Sequence, residues 1–452
     1  MNLLTDSPVA GFLLDPVIRP SVNVIPLSPV EKKTNIGDLC QNLAGRLNQK
    51  FGVLKTDERL TSSTTVHIDG TLELFTPRFL LSVDVDTILI NIIADSIDQL
   101  RRQFEDEVFA KLGAPAERSD DTLTLLYATT NQMAYWHHIV GLGELNKYTR
   151  NGIYEALHDF REAISQDSSF AISYLYIAYC YNLLADRLWK LDPYPIMIDS
   201  SQKYLRIVSE RFPQMLKHPL YSKVIGDLSL LEGDLHYGFF VENSDQPDDS
   251  VLNQSFLFVA EKHYLSARKQ LIEAIQMLPS YYKLRFNLGL VNFQLYNVEL
   301  QYGDSAAARS YLKLALRLQE SSEKLFAVDF GIAAQRAEYL FHEFKSFERD
   351  NPELINHAIA VLDSVTHGTT SDVWKGYAHF YSAEIWLFKG DTTRSLDDLC
   401  KANQFDPFDV KAKALWDLDY KPLWKVLREK TTLEERCAER GVMSSIVDYT
   451  IQ

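Results

Sequence analysis

The sequence predicts a small α+β domain with the order strand–helix–strands–helix, followed by an all-α domain of helical repeats. Up to about residue 112, short β-branched runs alternate with segments of helical spacing. From Thr122 onward helical periodicity dominates, and small residues recur at the spacing of paired helices. The predicted boundaries are an N-terminal extension at 1–19, the α+β domain at 20–115, the repeats at 122–430 and a C-terminal tail at 431–452.

The α+β prediction depends on the patterns before Gly113. Ser21–Leu27 alternates and is β-branched, which predicts a strand, and Ile36–Phe51 has leucines at helical spacing, which predicts an amphipathic helix. Thr64–Ile68 predicts a second strand, and the Asp-Gly pair after it predicts a turn. Strands over 72–75, 79–85 and 88–94 follow, and a helix over 95–112 completes the domain.

The helical part contains four partial matches to the tetratricopeptide pattern, in which small residues lie where the two helices of a unit touch. Each pair of helices buries its apolar face by stacking on the next pair. The spacings between the matches are irregular, which predicts degenerate units. The second-helix matches are Ala156, Phe160 and Ala163; Ala267, Leu271, Ala274 and Pro279; Ala308, Leu312 and Ala315; and Ser395, Leu399, Ala402 and Pro407.

Charge and cysteine content restrict the classes of function. With 46 basic and 61 acidic residues the net charge is −15, and no basic patch is visible, so we expect no direct binding to nucleic acid. Cys40, Cys180, Cys400 and Cys437 form no CxxC pair. The sequence therefore predicts free buried thiols, and weakly favours a reducing compartment.

Signals for membrane insertion or secretion are not predicted. The N-terminus carries Asp6 and Asp15 without a basic segment, which argues against a secretory signal. The uncharged run Ser168–Ala185 is rich in tyrosine and serine and is flanked by Asp167 and Asp186, which predicts a helix buried on most sides rather than a membrane span.

No set of residues predicts catalysis. Asp84 and Asp86 at a strand end suit a divalent cation, but a polar turn is the favoured interpretation. His137 and His138 are adjacent on a helix and point in different directions, so one metal cannot easily take both. His342, followed by a glutamate, lacks the second histidine of a zincin motif. The sequence therefore predicts a protein that is not an enzyme, with no catalytic residue, metal or cofactor.

A binding groove is the better candidate site. In tetratricopeptide arrays the first helix of each unit lines a concave surface. By register, that surface includes Tyr179, Asn182, Lys283, Lys375 and His379. Cations along a groove suit an acidic peptide or a terminal carboxylate. The alternative is that these are solvated residues in ordinary salt bridges.

Two parts of the chain resemble CadC- and HilA-type bacterial transcription activators. SVNVIPL, GVLKTDE and the later strands VHIDGTLEL, RFLLSVDVDT and ILINIIAD resemble the TolB-like domain of these proteins. Tyr135–Asp186 resembles the stretch where they enter their repeats. That second resemblance is carried by Gly141, Leu145, Asn146, Tyr148, Thr149, Ala156, Phe160 and Ala163.

The resemblance implies the regulatory half of such an activator, because these proteins begin with a winged-helix DNA-binding domain that is not found in this sequence. The helix that TolB-like domains usually place between their second and third strands is shortened here to Arg59–Ser63 or lost. The implied partners are a separate winged-helix subunit or RNA polymerase, and a homodimer is also considered. The alternative is a scaffold or chaperone-like adaptor unrelated to transcription. We expect a cytoplasmic protein, or a periplasmic one if the chain belongs to a membrane-tethered regulator.

Overall fold

In the computed structural model of the protein, the strands come first and the helices follow from Gln132 onward. The chain divides into two compact units, Met1–Leu184 with Asp199–Val224, and Ala185–Ile198 with Ile225–Gln452. The described residues are 25–28, 31–35, 68–75, 78–85, 88–94, 103, 129, 131–145, 149–187, 193–243, 250–277, 281–325, 330–369, 371–405, 418–423 and 437.

The strands pair in chain order as an antiparallel meander. The third strand runs through Asp69 and Gly70, which pair with Asp84 and Val83, so the turn predicted at this Asp-Gly pair is wrong. The strand at Glu31–Asn35 was not predicted from the sequence. The strands are β1 Ile25–Ser28, β2 Glu31–Asn35, β3 Ile68–Phe75, β4 Arg78–Val85 and β5 Ile88–Ala94.

The predicted fold class is wrong: the described residues support an all-α helical repeat fold, and they form no TolB-like α+β domain. Strands β3, β4 and β5 pair with their chain neighbours through the close pairs Phe75–Arg78 and Val85–Ile88. These strands form a meander of chain neighbours, and nearly all other described residues are helical, so the helices define the fold class of the described part of the chain. The helices predicted at 36–51 and 95–112 lie outside the described residues, apart from Gln103. The predicted boundary between domains, at 115–122, also lies outside them and stays a prediction.

Helices account for nearly all described residues after Gly113. None of the described helices combines the length and apolarity needed to cross a bilayer. The α-helices are α1 Gln132–Leu145, α2 Arg150–Gln166, α3 Ala171–Arg187, α4 Pro193–Arg211, α5 Pro219–Asn243, α6 Ser250–Met277, α7 Tyr282–Tyr302, α8 Ser305–Leu325, α9 Phe330–Phe347, α10 Pro352–Gly368, α11 Asp372–Phe388 and α12 Thr392–Phe405, with 3-10 helices at Pro213–Lys217 and Leu418–Leu423.

In the first unit, α1 and α2 pack as a pair. Thr149 begins α2, because its hydroxyl accepts a hydrogen bond from the Gly152 amide at 3.1 Å and so satisfies a donor that the helix leaves free. Gly141 lies against the Phe160 ring, where a Cβ would come within 2.9 Å of Cε1. This close approach explains a small residue at the helix crossing. The run around α3 is buried on most sides, as the sequence predicted.

In the second unit, consecutive helices also pack as pairs: α7 with α8, α9 with α10, and α11 with α12. The first helices α9 and α11 contact each other, as expected when units stack. Gly303 and Gly390 have φ values of 81° and 79° and follow α7 and α11, so a left-handed glycine ends each of these helices. The predicted small-residue sets of α6, α8 and α12 are buried: Ala267, Leu271 and Ala274; Ala308, Leu312 and Ala315; and Ser395, Leu399 and Ala402.

A disulfide joins Cys400 on α12 to Cys437, which lies 37 residues further along the chain. The prediction of free thiols is therefore wrong for these two residues. Cys180 is free and buried, as predicted, whereas Cys40 lies outside the described residues.

Candidate binding surfaces and a buried ionic network

Three of the five predicted groove residues are buried. In the first unit, Lys223 Nζ lies 3.9 Å from the centre of the Tyr179 ring, and the Asn182 side chain donates to the Val224 carbonyl at 2.9 Å. These contacts pack α3 against the start of α5. Lys283 belongs to the second unit and is buried there on α7. The role of these residues in binding a partner stays a prediction.

The other two predicted residues meet at one aromatic ring. His379 stacks on Phe405 with ring centres 5.7 Å apart, and Lys375 Nζ lies 5.4 Å from the same ring. The Asp398 carboxylate contacts His379 Nδ1 at 3.1 Å and Lys401 Nζ at 3.4 Å. The structure thus brings Lys375 and His379 together, half-buried, at the surface between α11 and α12.

A stronger candidate surface lies on α6, where apolar side chains recur every seven residues on a solvent-facing side. Val251 is 82% exposed, Phe258 63% and Leu265 41%. Ile272 continues the series and is half-buried. Seven residues are close to two helical turns, so these four side chains form one line along the helix, which we call the α6 stripe. The signal was present in the sequence, since the spacing can be read directly from it.

The opposite side of α6 is already used for packing. Tyr264 lies against Gly233 of α5, and Leu271 lies against Gly226 of the same helix. Tyr264 also donates a hydrogen bond to Asp234 at 2.8 Å. The α6 stripe is therefore a second apolar side of a helix whose first side is satisfied. The packed residues are Leu257, Ala260, Tyr264, Ala267, Leu271 and Ala274.

Charged residues border the α6 stripe. Lys262 and Lys269 are exposed, one turn after Phe258 and Leu265. Neither lysine has a hydrogen bond or an ion pair to any other described residue. On the other border, Glu261 accepts a hydrogen bond from the Tyr302 hydroxyl at 3.1 Å. Of these charged residues beside the stripe, the two lysines are therefore the ones that remain available to a partner.

A separate polar cluster lies inside the second unit, which we call the His342 network. His342 Nε2 lies 3.3 Å from Glu384 Oε1 and 3.6 Å from Asp419 Oδ2. Lys345 forms ion pairs with both carboxylates. The Tyr296 hydroxyl lies 3.2 Å from His342 Nδ1. The cluster joins α7, α9, α11 and the 3-10 helix at Leu418–Leu423.

Burial and neighbouring groups together determine the protonation of the His342 network. It lowers the pKa of His342 from 6.5 to about 3, so the imidazole is neutral. Burial alone would raise the pKa of Asp419, but the hydrogen bond with Glu384 and the positive charge of Lys345 hold it well below its usual range. Asp419 is therefore the ionised partner of Lys345.

Glu338, His342 and Glu384 each present a ligand atom within 4.8 Å of the others, a donor set that suits divalent metals. Lys345 Nζ lies 3.6 Å from Glu384, however, and also contacts Asp419. An ammonium group in this place supplies the positive charge that a metal would supply. We therefore interpret the cluster as an internal ionic network that joins helices.

Comparisons with known proteins do not assign a family. No protein-family model matches the chain. No curated protein sequence matches it. A solved structure from the functional characterization of Pseudomonas aeruginosa pilF aligns with 65% of this chain and 98% of that chain, with 16% sequence identity and a TM-score of 0.32. A TM-score this low carries no argument, so the helical-repeat assignment depends on the paired helices themselves.

Proposed function

We propose that the chain is a helical-repeat scaffold or adaptor that binds another protein and has no catalytic activity of its own. The observation that carries the proposal is the α6 stripe. An apolar line of this kind, bordered by polar residues, is typical of an interaction site. Covering it would stabilise a complex by about 25 cal/mol for each Å² of apolar surface removed from water. Packed helix pairs supply the support that holds the line in place.

A narrower proposal is that the chain is the regulatory half of a CadC- or HilA-type activator. It is supported by the sequence resemblance within 20–190, and most specifically by Tyr135–Asp186. The partner would then be a winged-helix subunit or RNA polymerase. The helix pairs and the α6 stripe favour the broader adaptor proposal, because they indicate protein binding without indicating transcription.

The compartment is part of the proposal. The Cys400–Cys437 disulfide favours an oxidising compartment. It therefore supports the periplasmic alternative more than the cytoplasmic expectation, which depended on free thiols.

A pull-down of the tagged full-length chain from its own cells tests the proposal. We expect one protein to be retained in near-stoichiometric amount, and we expect the double variant Phe258→Ser/Leu265→Ser to retain at least about tenfold less of it, a loss of about 1.4 kcal/mol. Leu216→Ser is the control, because Leu216 is also 41% exposed but belongs to the 3-10 helix at Pro213–Lys217 in the first unit.

The identity of the retained protein separates the two proposals. A winged-helix protein or a polymerase subunit supports the regulator, and an assembly or secretion client supports the adaptor. If the wild-type chain retains no protein in comparable amount, the proposed function is wrong.

A further inference from the structure

We infer that the α6 stripe is the docking site for an acidic amphipathic helix of a partner protein. The inference rests on the proposed binding function and deepens it by naming the chemistry of the partner. Three features support it: the geometry of the stripe, the two lysines on one border and the contacts on the other border.

The geometry of the α6 stripe fits another helix. Val251, Phe258, Leu265 and Ile272 repeat at intervals of seven residues. On a straight helix such a series drifts by about 20° per repeat, which is the geometry of two helices that wrap around each other. At about 1.5 Å per residue, the line from Val251 to Ile272 is about 32 Å long. A partner helix of about six turns would cover it.

The charge beside the α6 stripe indicates the charge of the partner. Lys262 and Lys269 each follow a stripe residue by four positions, so both lie on the same border, one heptad apart. On the other border, Glu261 is engaged by Tyr302, and Arg268 Nε donates to the Asn292 side chain at 3.3 Å. The exposed charged residues beside the stripe that contact no other described residue are thus two lysines, which attract glutamate or aspartate at heptad spacing on the partner.

A second copy of the chain fits the α6 stripe less well. If two stripes paired in antiparallel fashion over their whole length, Lys262 would face its own equivalent near the centre. If they paired in parallel, Lys269 would face Arg268 of the other copy and Lys262 would face Glu261, so repulsion and attraction would offset each other. Neither arrangement gives both lysines an acidic partner, whereas an acidic helix would.

The overall negative charge does not prevent an acidic helix from docking. Exposed charges separated by more than about 8 Å are largely screened at physiological ionic strength. The two lysines next to the stripe therefore dominate the electrostatic energy of a docked helix. Binding should weaken as salt is added.

Two designed helical peptides of about 24 residues test the inference against the full-length chain. They share leucines at heptad spacing and differ only in flanking residues, which are glutamate in one peptide and lysine in the other. By fluorescence anisotropy, we expect the glutamate peptide to bind at least about tenfold more tightly. Phe258→Ser/Leu265→Ser should abolish its binding. Lys262→Glu/Lys269→Glu changes only exposed side chains and should reverse the preference.

Three outcomes would overturn the inference: equal binding of the two peptides, no binding of either one, or a preference that survives the charge reversal. The remaining alternative is that a second copy of the chain covers the stripe, and analytical ultracentrifugation tests it. A wild-type dimer that becomes a monomer in Phe258→Ser would support this alternative and overturn the inference. If the full chain captures a cellular protein that the double serine variant also retains, the proposed function stands and the docking inference fails.

Discussion

Two of the buried histidines, one in each unit, lie in different surroundings. His138 lies in the first unit and His342 in the second. Burial lowers the pKa of each from 6.5 to about 3, so both rings are neutral near pH 7. The same protonation state is therefore reached in an aromatic environment and in an ionic one.

The aromatic environment is that of His138. Its Nδ1 lies 2.9 Å from the Ser173 hydroxyl, and its Nε2 has no hydrogen-bond partner among the described residues. The rings of Phe160, Phe170 and Tyr176 lie with their centres 5.0 to 5.3 Å away. Here the imidazole acts mainly as one more ring in an apolar core.

His342 instead contacts two carboxylates and a tyrosine hydroxyl. The difference teaches that a lowered histidine pKa reports burial and does not identify the neighbours. The neighbours instead determine how much stability is lost when one side chain of the cluster is replaced. An aromatic core tolerates another ring, whereas an ionic network leaves an unpaired charge behind.

The largest effect is expected from Lys345→Leu. It leaves the buried Glu384 and the partly exposed Asp419 without their cation, and the loss should be about 2 kcal/mol, between the values for a buried pair and an exposed pair. Chemical denaturation gives the free energy of unfolding. Lys401→Leu is the matched control, because Lys401 pairs with Asp398 at the surface and its loss should cost less than about 1 kcal/mol. Equal losses in the two variants would contradict an ionic network that joins helices.

An intermediate effect is expected from His138→Phe, and it depends on pH. The unfolded state binds a proton on His138, His218 and His342 below pH 6.5, whereas the folded state does so only below about 3. Stability should therefore fall as pH is lowered through this window, by up to about 1.4 kcal/mol per pH unit for each histidine.

In His138→Phe, the part of the pH dependence of stability that is due to His138 disappears. At pH 7 the free energy of unfolding should fall by about 1 kcal/mol, because Ser173 loses its hydrogen-bond partner. Denaturation curves measured from pH 7 to pH 4 test this. An unchanged slope would show that His138 does not remain neutral in the folded state.

The smallest effect is expected from Tyr296→Phe. This change removes the hydroxyl that lies 3.2 Å from His342 Nδ1 and 2.8 Å from Ser346 Oγ. It leaves His342 with one unpaired nitrogen, as His138 already has, and should cost about 0.5 kcal/mol. A double-mutant cycle with Ser346→Ala separates the two contacts, and strict additivity of the two changes would argue against a shared hydrogen bond.

The helical spacing predicted much of the fold because the determinants are local. Ala267, Ala308 and Ser395 mark helix crossings that the structure confirms as buried. The α+β domain was wrong because alternation predicts strands without fixing what they pair with. The disulfide was missed because Cys400 and Cys437 are 37 residues apart, with no motif between them.

The candidate site was harder to predict. On α6 the exposed Phe258 and Leu265 recur at the same seven-residue interval as the buried Leu257 and Tyr264. Periodicity alone cannot say which of two apolar lines is covered. The His342 network has no sequence signal, since its members come from four separate elements.

The Cys400–Cys437 disulfide closes a covalent ring of chain. In the chain-entropy view, a ring of this size disfavours the unfolded state by about 4 kcal/mol. A protease that cuts after Lys411 or Arg428 would leave both fragments attached. The C-terminal peptide would then be released only after reduction, and in an oxidising buffer each cut would change the mass of the molecule by no more than one added water.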